Sequence, residues 1–411
     1  MNRKKVFSII FSLTAAVQPV LSAAPPQQNM KLVRKSIDQA KTYIKSGKDY
    51  DKAEKLMTDL LKDTVNRTNV RIYDVWFQSV CGQYDVANEK LYLKQKYDTA
   101  AFYNLTRRIQ QVAFALDSLD ARPDHKGRVR PEYRKDNAAL LHALRLNIYY
   151  GGTWHVKRGD YRQAYLFFDD YLEAVRQPLF EGYDYQQKDS LLPTAAYWAT
   201  LCGFKLQDAG RTLKHSQLAL TDKGKRQFTL QYICEAYLLQ HNDSAYEATL
   251  LQGFDEFVEY PYFFPRLADR YNAQRRYADV LELSERGLKV SPANTLFLLA
   301  KSVALLNLER YDECVESSQA LVRQNDQLPE PYFNIATCYL NEALVVEQQN
   351  EPRKNRQRLQ TLYQQARPYM EKYRELSPND KGRWAPALYR IYLNLNLGKQ
   401  FDEIDRLMRN N

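Results

Sequence analysis

"RYNAQRRYADVLELSERGLKVSPAN" (residues 270–294) reads as an amphipathic helix stopped by a proline, and its tyrosine is one of a series. Tyr271 stands 34 residues after Tyr237 and 34 before Leu305, and Tyr339 follows another 34 on. Other columns keep the same step. Ala196, Leu230, Phe264, Leu298 and Tyr332 form one; Ala199, Ile233, Leu267, Lys301 and Ile335 lie three residues further on. Thr200, Cys234, Ala268, Ser302 and Ala336, one further still, are all small. A column that stays small while its neighbours stay large marks a place where two helix backbones approach closely, and a fixed period of this length marks a repeated supersecondary unit.

The second half of the unit repeats as well, as Tyr277, Val280, Leu288 and Pro292, then Tyr311, Cys314 and Val322. Pro292 cannot continue a helix, and Asn294 is suited to cap the next one. Each unit is therefore predicted to be two antiparallel helices and a short turn. The period gives eight or nine pairs, at 34–64, 69–118, 136–176, 193–222, 227–258, 261–292, 295–327, 330–377 and 381–409. The step lengthens between Tyr339 and Tyr363, where residues 341–360 are expected to extend both helices of one pair and put Pro352 in their turn. The stretch 121–135, with Arg122, Lys126, Arg128, Arg130 and Arg134, is expected to be a protruding basic loop.

The N-terminus, "MNRKKVFSIIFSLTAAVQPVLSAAPPQQ", joins a basic cluster (Arg3, Lys4, Lys5) to an apolar run and a small-residue end at Ser22, Ala23 and Ala24. That order is the order of a secretory signal peptide, expected over residues 1–22, with a short linker at 23–33 and the helical array at 34–411. Ser8, Ser12, Thr14 and Gln18 interrupt the run, which argues against an uncleaved anchor. No cysteine follows the run before Cys81, so a lipoprotein is not expected, and the mature chain is expected to lack a membrane span and to be periplasmic. The chain has 59 Lys and Arg, three of them in the leader, against 49 Asp and Glu, which leaves an excess of about seven positive charges. For an exported protein the acidic partners at hand are lipid phosphates, glycans or acidic proteins, and nucleic acid is not expected.

Reactive constellations are sparse. The five histidines have no metal-ligand spacing, and no nucleophile elbow, phosphate-cradling loop or dinucleotide fingerprint occurs. Neither a metal nor a cofactor is expected, nor an enzymatic activity. Cys234 falls in the small column, Cys202 and Cys338 two residues after it, and Cys314 at the small position of a second helix, so these four are read as packing residues. Five Asp-Ser/Thr-aliphatic triplets, at Asp63, Asp98, Asp117, Asp189 and Asp243, resemble an O-glycosylation motif of exported bacterial proteins, with helix caps and turns as the alternative.

"PYFNIATCYL" (331–340), "LERYDECVESSQALV" (308–322), "RGDYRQAYLFFDDYLEAV" (158–175), "GKDYDKAEKLMTDLL" (47–61) and "PYMEKYRELSPND" (368–380) resemble the helix pairs of the tetratricopeptide repeat family. The order of segments is similar to that of exported tetratricopeptide proteins of Bacteroidales-type bacteria. The resemblance implies an all-α solenoid of eight or nine pairs wound into a right-handed superhelix, with the first helices lining a groove. It also implies which residues line that groove: the set includes Tyr149, Tyr197, Phe204, Leu299, Leu306, Phe333, Leu340, Tyr389 and Tyr392, together with Gln231, Glu235 and Leu238. Lys and Asn are absent from the paired groove positions with which the family clamps chaperone tails. The resulting expectation is a non-enzymatic periplasmic scaffold or adaptor that holds a protein or peptide in the cell envelope, possible roles being envelope assembly and secretion. A glycan-binding envelope protein, with tyrosines stacked on sugar rings, is the alternative.

Overall fold

The computed structural model describes residues 26–349 and 352–409, and the expected signal peptide and its cleavage point lie outside them. Among the described residues there is no strand, and no helix is long and apolar enough to cross a membrane. The chain forms two compact units that part between Asp189 and Ser190.

In the first unit, α1 (Pro26–Ser46) and α2 (Tyr50–Leu60), α3 (Val70–Tyr92) and α4 (Thr99–Asp120), and α5 (Arg134–Lys157) and α6 (Tyr161–Glu173) are three helix pairs. The two helices of each pair pack on one another across turns too short for anything but antiparallel pairing. The α1 helix starts at Pro26, inside the stretch expected as a linker, because Val33 and Ile37 are buried on the core of the first pair and hold the helix against it. The unit ends in 3-10 turns at Ala174–Arg176 and Pro178–Tyr183 and the single-turn helix α7 (Tyr185–Lys188).

In the second unit, α8 (Leu192–Lys205) pairs with α9 (Ala209–Lys214) and α10 (Ser216–Ala219), which together stand for one second helix. The remaining pairs are α11 (Arg226–Leu239) with α12 (Asp243–Glu256), α13 (Phe263–Ala273) with α14 (Tyr277–Val290), and α15 (Thr295–Asn307) with α16 (Tyr311–Gln324). The lengthened α17 (Pro329–Gln348) and α18 (Pro352–Leu376), then α19 (Lys381–Asn394) and α20 (Gly398–Arg409), complete the set. Pro352 opens α18 rather than sitting in the turn, a position where its missing N–H costs nothing.

The 34-residue columns have their physical cause in this packing. Thr200, Cys234, Ala268, Ser302 and Ala336 are all buried, and so are Tyr271 and Leu305. Asn294 caps α15 by accepting from the backbone N–H groups of Leu296 and Phe297, as Asp63 and Asp98 do for the turn at Thr64 and for α4. Lys301, which breaks its apolar column, pairs with Glu285 on α14 at 3.0 Å. A second contact repeats at the same 34-residue step. Gly253 faces the Phe263 ring and Gly287 the Phe297 ring, each a second-helix glycine against the first helix of the next pair.

Polar ties stitch the first unit across helices. Glu54 on α2 accepts from Trp76 (3.1 Å) and Gln83 (2.6 Å) on α3, and from Arg108 (2.8 Å) on α4. Burial works against ionisation of Glu54, but the three donors outweigh it and hold the carboxyl below its usual range.

Candidate functional site

The nine expected groove residues all lie on first helices, yet none is exposed. Tyr197, Leu340 and Tyr392 are inside the core, at 6%, 8% and 3% exposure. The other six are half-buried. Phe204 on α8 stacks on Tyr232 of α11 at 4.7 Å, and Tyr389 on α19 meets Phe401 of α20 at the same distance. Phe333 is covered by Tyr373 and by the Arg383 guanidinium, 3.7 Å above its ring. Tyr149 packs on Phe168 and Tyr171 of α6. Leu299 and Leu306 are half-buried on α15, Leu306 against the core around Leu305 and Cys338.

The polar positions on α11 are used in the same way. Gln231 accepts from the Tyr260 hydroxyl at 2.6 Å and Glu235 from the Tyr262 hydroxyl at 2.7 Å. The family pattern says which way a position points. It does not say whether the next pair reaches back to cover it.

A different set of apolar side chains is left in solvent. Large exposed hydrophobics on the first helices are Met30 and Leu32 on α1, Tyr92 on α3, and Leu140, Leu146 and Tyr150 on α5. Leu238 and Leu239 on α11, Leu296 on α15, Leu344 and Val345 on α17, and Leu393 on α19 continue the series. The second helices contribute Leu218, Val290 and Met408. Sequence reasoning included Leu238 and missed Leu146 and Tyr150, which flank Tyr149.

The basic segment is a loop up to Tyr133, and Arg134 begins α5. Its charge is partly spent internally. Arg134 makes a two-pronged bond to Asp117 (2.7 and 3.0 Å), and Arg128 binds Asp124, which also accepts from the backbone N–H groups of Lys126 and Arg128. Arg122, Lys126 and Arg130 remain exposed.

Cys202, Cys234, Cys314 and Cys338 are free and buried. Burial pushes the Cys202 thiol up to about 12, and the half-buried Cys81 thiol likewise, so neither is a thiolate at neutral pH. Two surface clefts, of about 380 and 460 Å³, are lined largely by charged groups, some of them already paired: Arg310 with Glu313 at 2.6 Å and Arg270 with Glu247 at 2.8 Å.

No family model matches the chain, and no curated protein matches its sequence. Among solved structures it is similar to the C-terminal part of a TPR repeat-containing protein from Cytophaga hutchinsonii, at 13% identity over 62% of this chain and 92% of that one, with a TM-score of 0.42. It is also similar to the TPR domain of P58(IPK), at 12% identity over 92% and 98% of the two chains and a TM-score of 0.25. Yeast Tom70 matches at 13% identity over 80% of this chain and 61% of its own, with a TM-score of 0.32. The 34-residue step, the antiparallel pairing and the buried small column make the fold a tetratricopeptide-type array of helix pairs.

Proposed function

We propose that the protein is a non-enzymatic scaffold that binds a protein or peptide partner through the exposed faces of its first helices, in the periplasm of the cell that exports it. The observation that carries the reading is the uneven distribution of apolar side chains left in solvent. They gather on the first helices of the pairs, where cores of the second unit and the first are already closed beneath them. Exposed apolar surface of this kind costs solubility and is retained where something covers it.

The test places a photo-reactive amino acid at Leu238 on α11 or at Val290 on α14, 47% and 57% exposed. Irradiation in intact cells should give a discrete protein adduct from position 238 and none from 290, although 290 is the more exposed. Equal labelling at both positions, or none at either, overturns the reading. A carbohydrate adduct at 238 would instead support the glycan-binding alternative.

Export rests on the basic cluster, apolar run and small-residue end of the N-terminus. Mass spectrometry of the native protein should find an N-terminus between Ala23 and Gln28. An intact Met1 in a cytosolic fraction removes the periplasmic assignment and leaves the scaffold reading standing.

A further inference from the structure

The surface of the first unit carries two parallel stripes of opposite character. On α3, Asp74, Gln78, Cys81 and Asp85 follow one another at steps of four, three and four residues, and so share one helix face. On α5, Ala139, Ala143, Leu146 and Tyr150 repeat the same steps. All four of these α5 residues are exposed, Leu146 at 46% and Tyr150 at 48%.

The two helices run side by side in the same direction. Near their starts the Tyr133 phenol lies within the field of Asp74, and further along Asn147 donates to the Tyr84 hydroxyl at 2.9 Å. Tyr84 is the neighbour of Asp85, and Asn147 lies between Leu146 and Tyr150. The acidic stripe and the apolar stripe are thus adjacent.

What marks the two acids is partial burial without a direct ion pair. In this unit Glu54, Asp117, Asp124, Asp170 and Asp189 each hold an arginine. Asp85 has no hydrogen bond or ion pair among the described residues, and Asp74 accepts from Gln78 at 2.8 Å with Lys41 nearby. Burial raises both carboxyls above their usual range; at Asp74 it outweighs the Gln78 bond and the nearby Lys41, and at Asp85 it acts with no cation in compensation. Eleven residues of helix put them about 16 Å apart, three turns along one face.

Resting on the scaffold reading above, the geometry points to a specific occupant of this face: a cationic amphipathic peptide segment, with aliphatic side chains on Leu146 and Tyr150 and Lys or Arg on Asp85 and Asp74. The segment supplies the missing counter-ions and removes the apolar stripe from water in one contact. An acidic or purely apolar segment would leave the two carboxylates desolvated and unpaired, which selects against it.

The probes are two labelled synthetic helices of equal length, each with a leucine stripe, one flanked by lysines and the other by glutamates. Fluorescence anisotropy should show the full-length protein binding the lysine peptide and not the glutamate one, with affinity falling as salt is raised. The double variant Asp74→Asn/Asp85→Asn keeps shape and hydrogen-bonding capacity, and should bind the lysine peptide at least about tenfold more weakly, as loss of close charge pairs does. Leu146→Gln should weaken it without changing the salt dependence. Equal binding of both peptides, or an unchanged affinity in the double variant, overturns the assignment. If neither peptide binds while a photo-reactive residue at Tyr150 still captures a protein, the assignment falls and the scaffold reading survives.

Discussion

Replacing Arg145 by alanine should lower the stability of the first unit by about 3–5 kcal/mol, the cost of stranding one member of a buried ion pair. Arg145 on α5 is 5% exposed, and its guanidinium lies 3.8 Å from the Tyr171 ring centroid and 4.2 Å from that of Tyr185. It binds Asp189 from Nε and Nη2 at 3.1 and 2.8 Å and donates from Nη1 to the Tyr171 carbonyl at 3.1 Å. The Tyr171 hydroxyl donates to the same Asp189 oxygen at 2.7 Å. One cation thus fastens α6, α7 and the end of the unit to α5. Burial pushes the Tyr185 phenol up to about 12 and Tyr171 higher still, so both rings stay neutral and keep the electron-rich faces on which the guanidinium rests.

Urea titration followed by tryptophan fluorescence, with Trp76 and Trp154 as reporters in this unit, measures the loss. Arg145→Lys should fall between wild type and alanine, because an ammonium keeps the charge but not the planar two-pronged bond or the stacking. Arg145→Met with Asp189→Leu should recover much of the loss, since an apolar pair leaves no stranded carboxylate. If Arg145→Ala unfolds at the wild-type urea concentration, the clasp does not hold the segment.

Neither that clasp nor the segment it secures was legible in the sequence. The stretch from Ala174 to Lys188 departs from the 34-residue period, and a periodic argument is silent where the period fails. Where the period held, it located the pairs well, because a column of residues such as Thr200 to Ala336 can stay small only if the same close helix approach recurs each time. The site was harder to read. Tyr197 and Tyr392 were assigned outward by analogy of position, yet Tyr392 donates its hydroxyl to Glu371 on α18 at 3.0 Å, a long-range contact that no local pattern encodes. Likewise the charge of 121–135 was visible, but the carboxylates that occupy Arg128 and Arg134 were not.

The second large effect is expected at Gly203 on α8, one turn beyond the small column at Thr200. A Cβ there would stand 2.4 Å from the backbone nitrogen of Thr212 and 2.7 Å from the carbonyl carbon of Arg211, so α8 and α9 touch backbone to backbone at this point. At Gly253 and Gly287 the atoms in the way belong to phenylalanine rings, which can shift within a core. At Gly203 they belong to a helix backbone that Asp208 caps through the Arg211 N–H and that no rotamer change can move. Alanine in a helix interior normally gains up to about 1 kcal/mol over glycine, and overpacking of this kind costs about 1–3 kcal/mol, so the clash outweighs the propensity. Gly203→Ala should therefore lower the melting temperature of the second unit, and Gly203→Val should lower it further, with helical content lost from α9. Gly382, in the first turn of α19, supplies the control: its Cβ position is open space, and Gly382→Ala should not lower stability. Circular dichroism melts of the three variants decide the matter. A Gly203→Ala protein that melts at or above the wild-type temperature would mean that α8 and α9 can part by the width of a methyl group without loss, and that the close approach behind the small column contributes nothing to the stability of this pair.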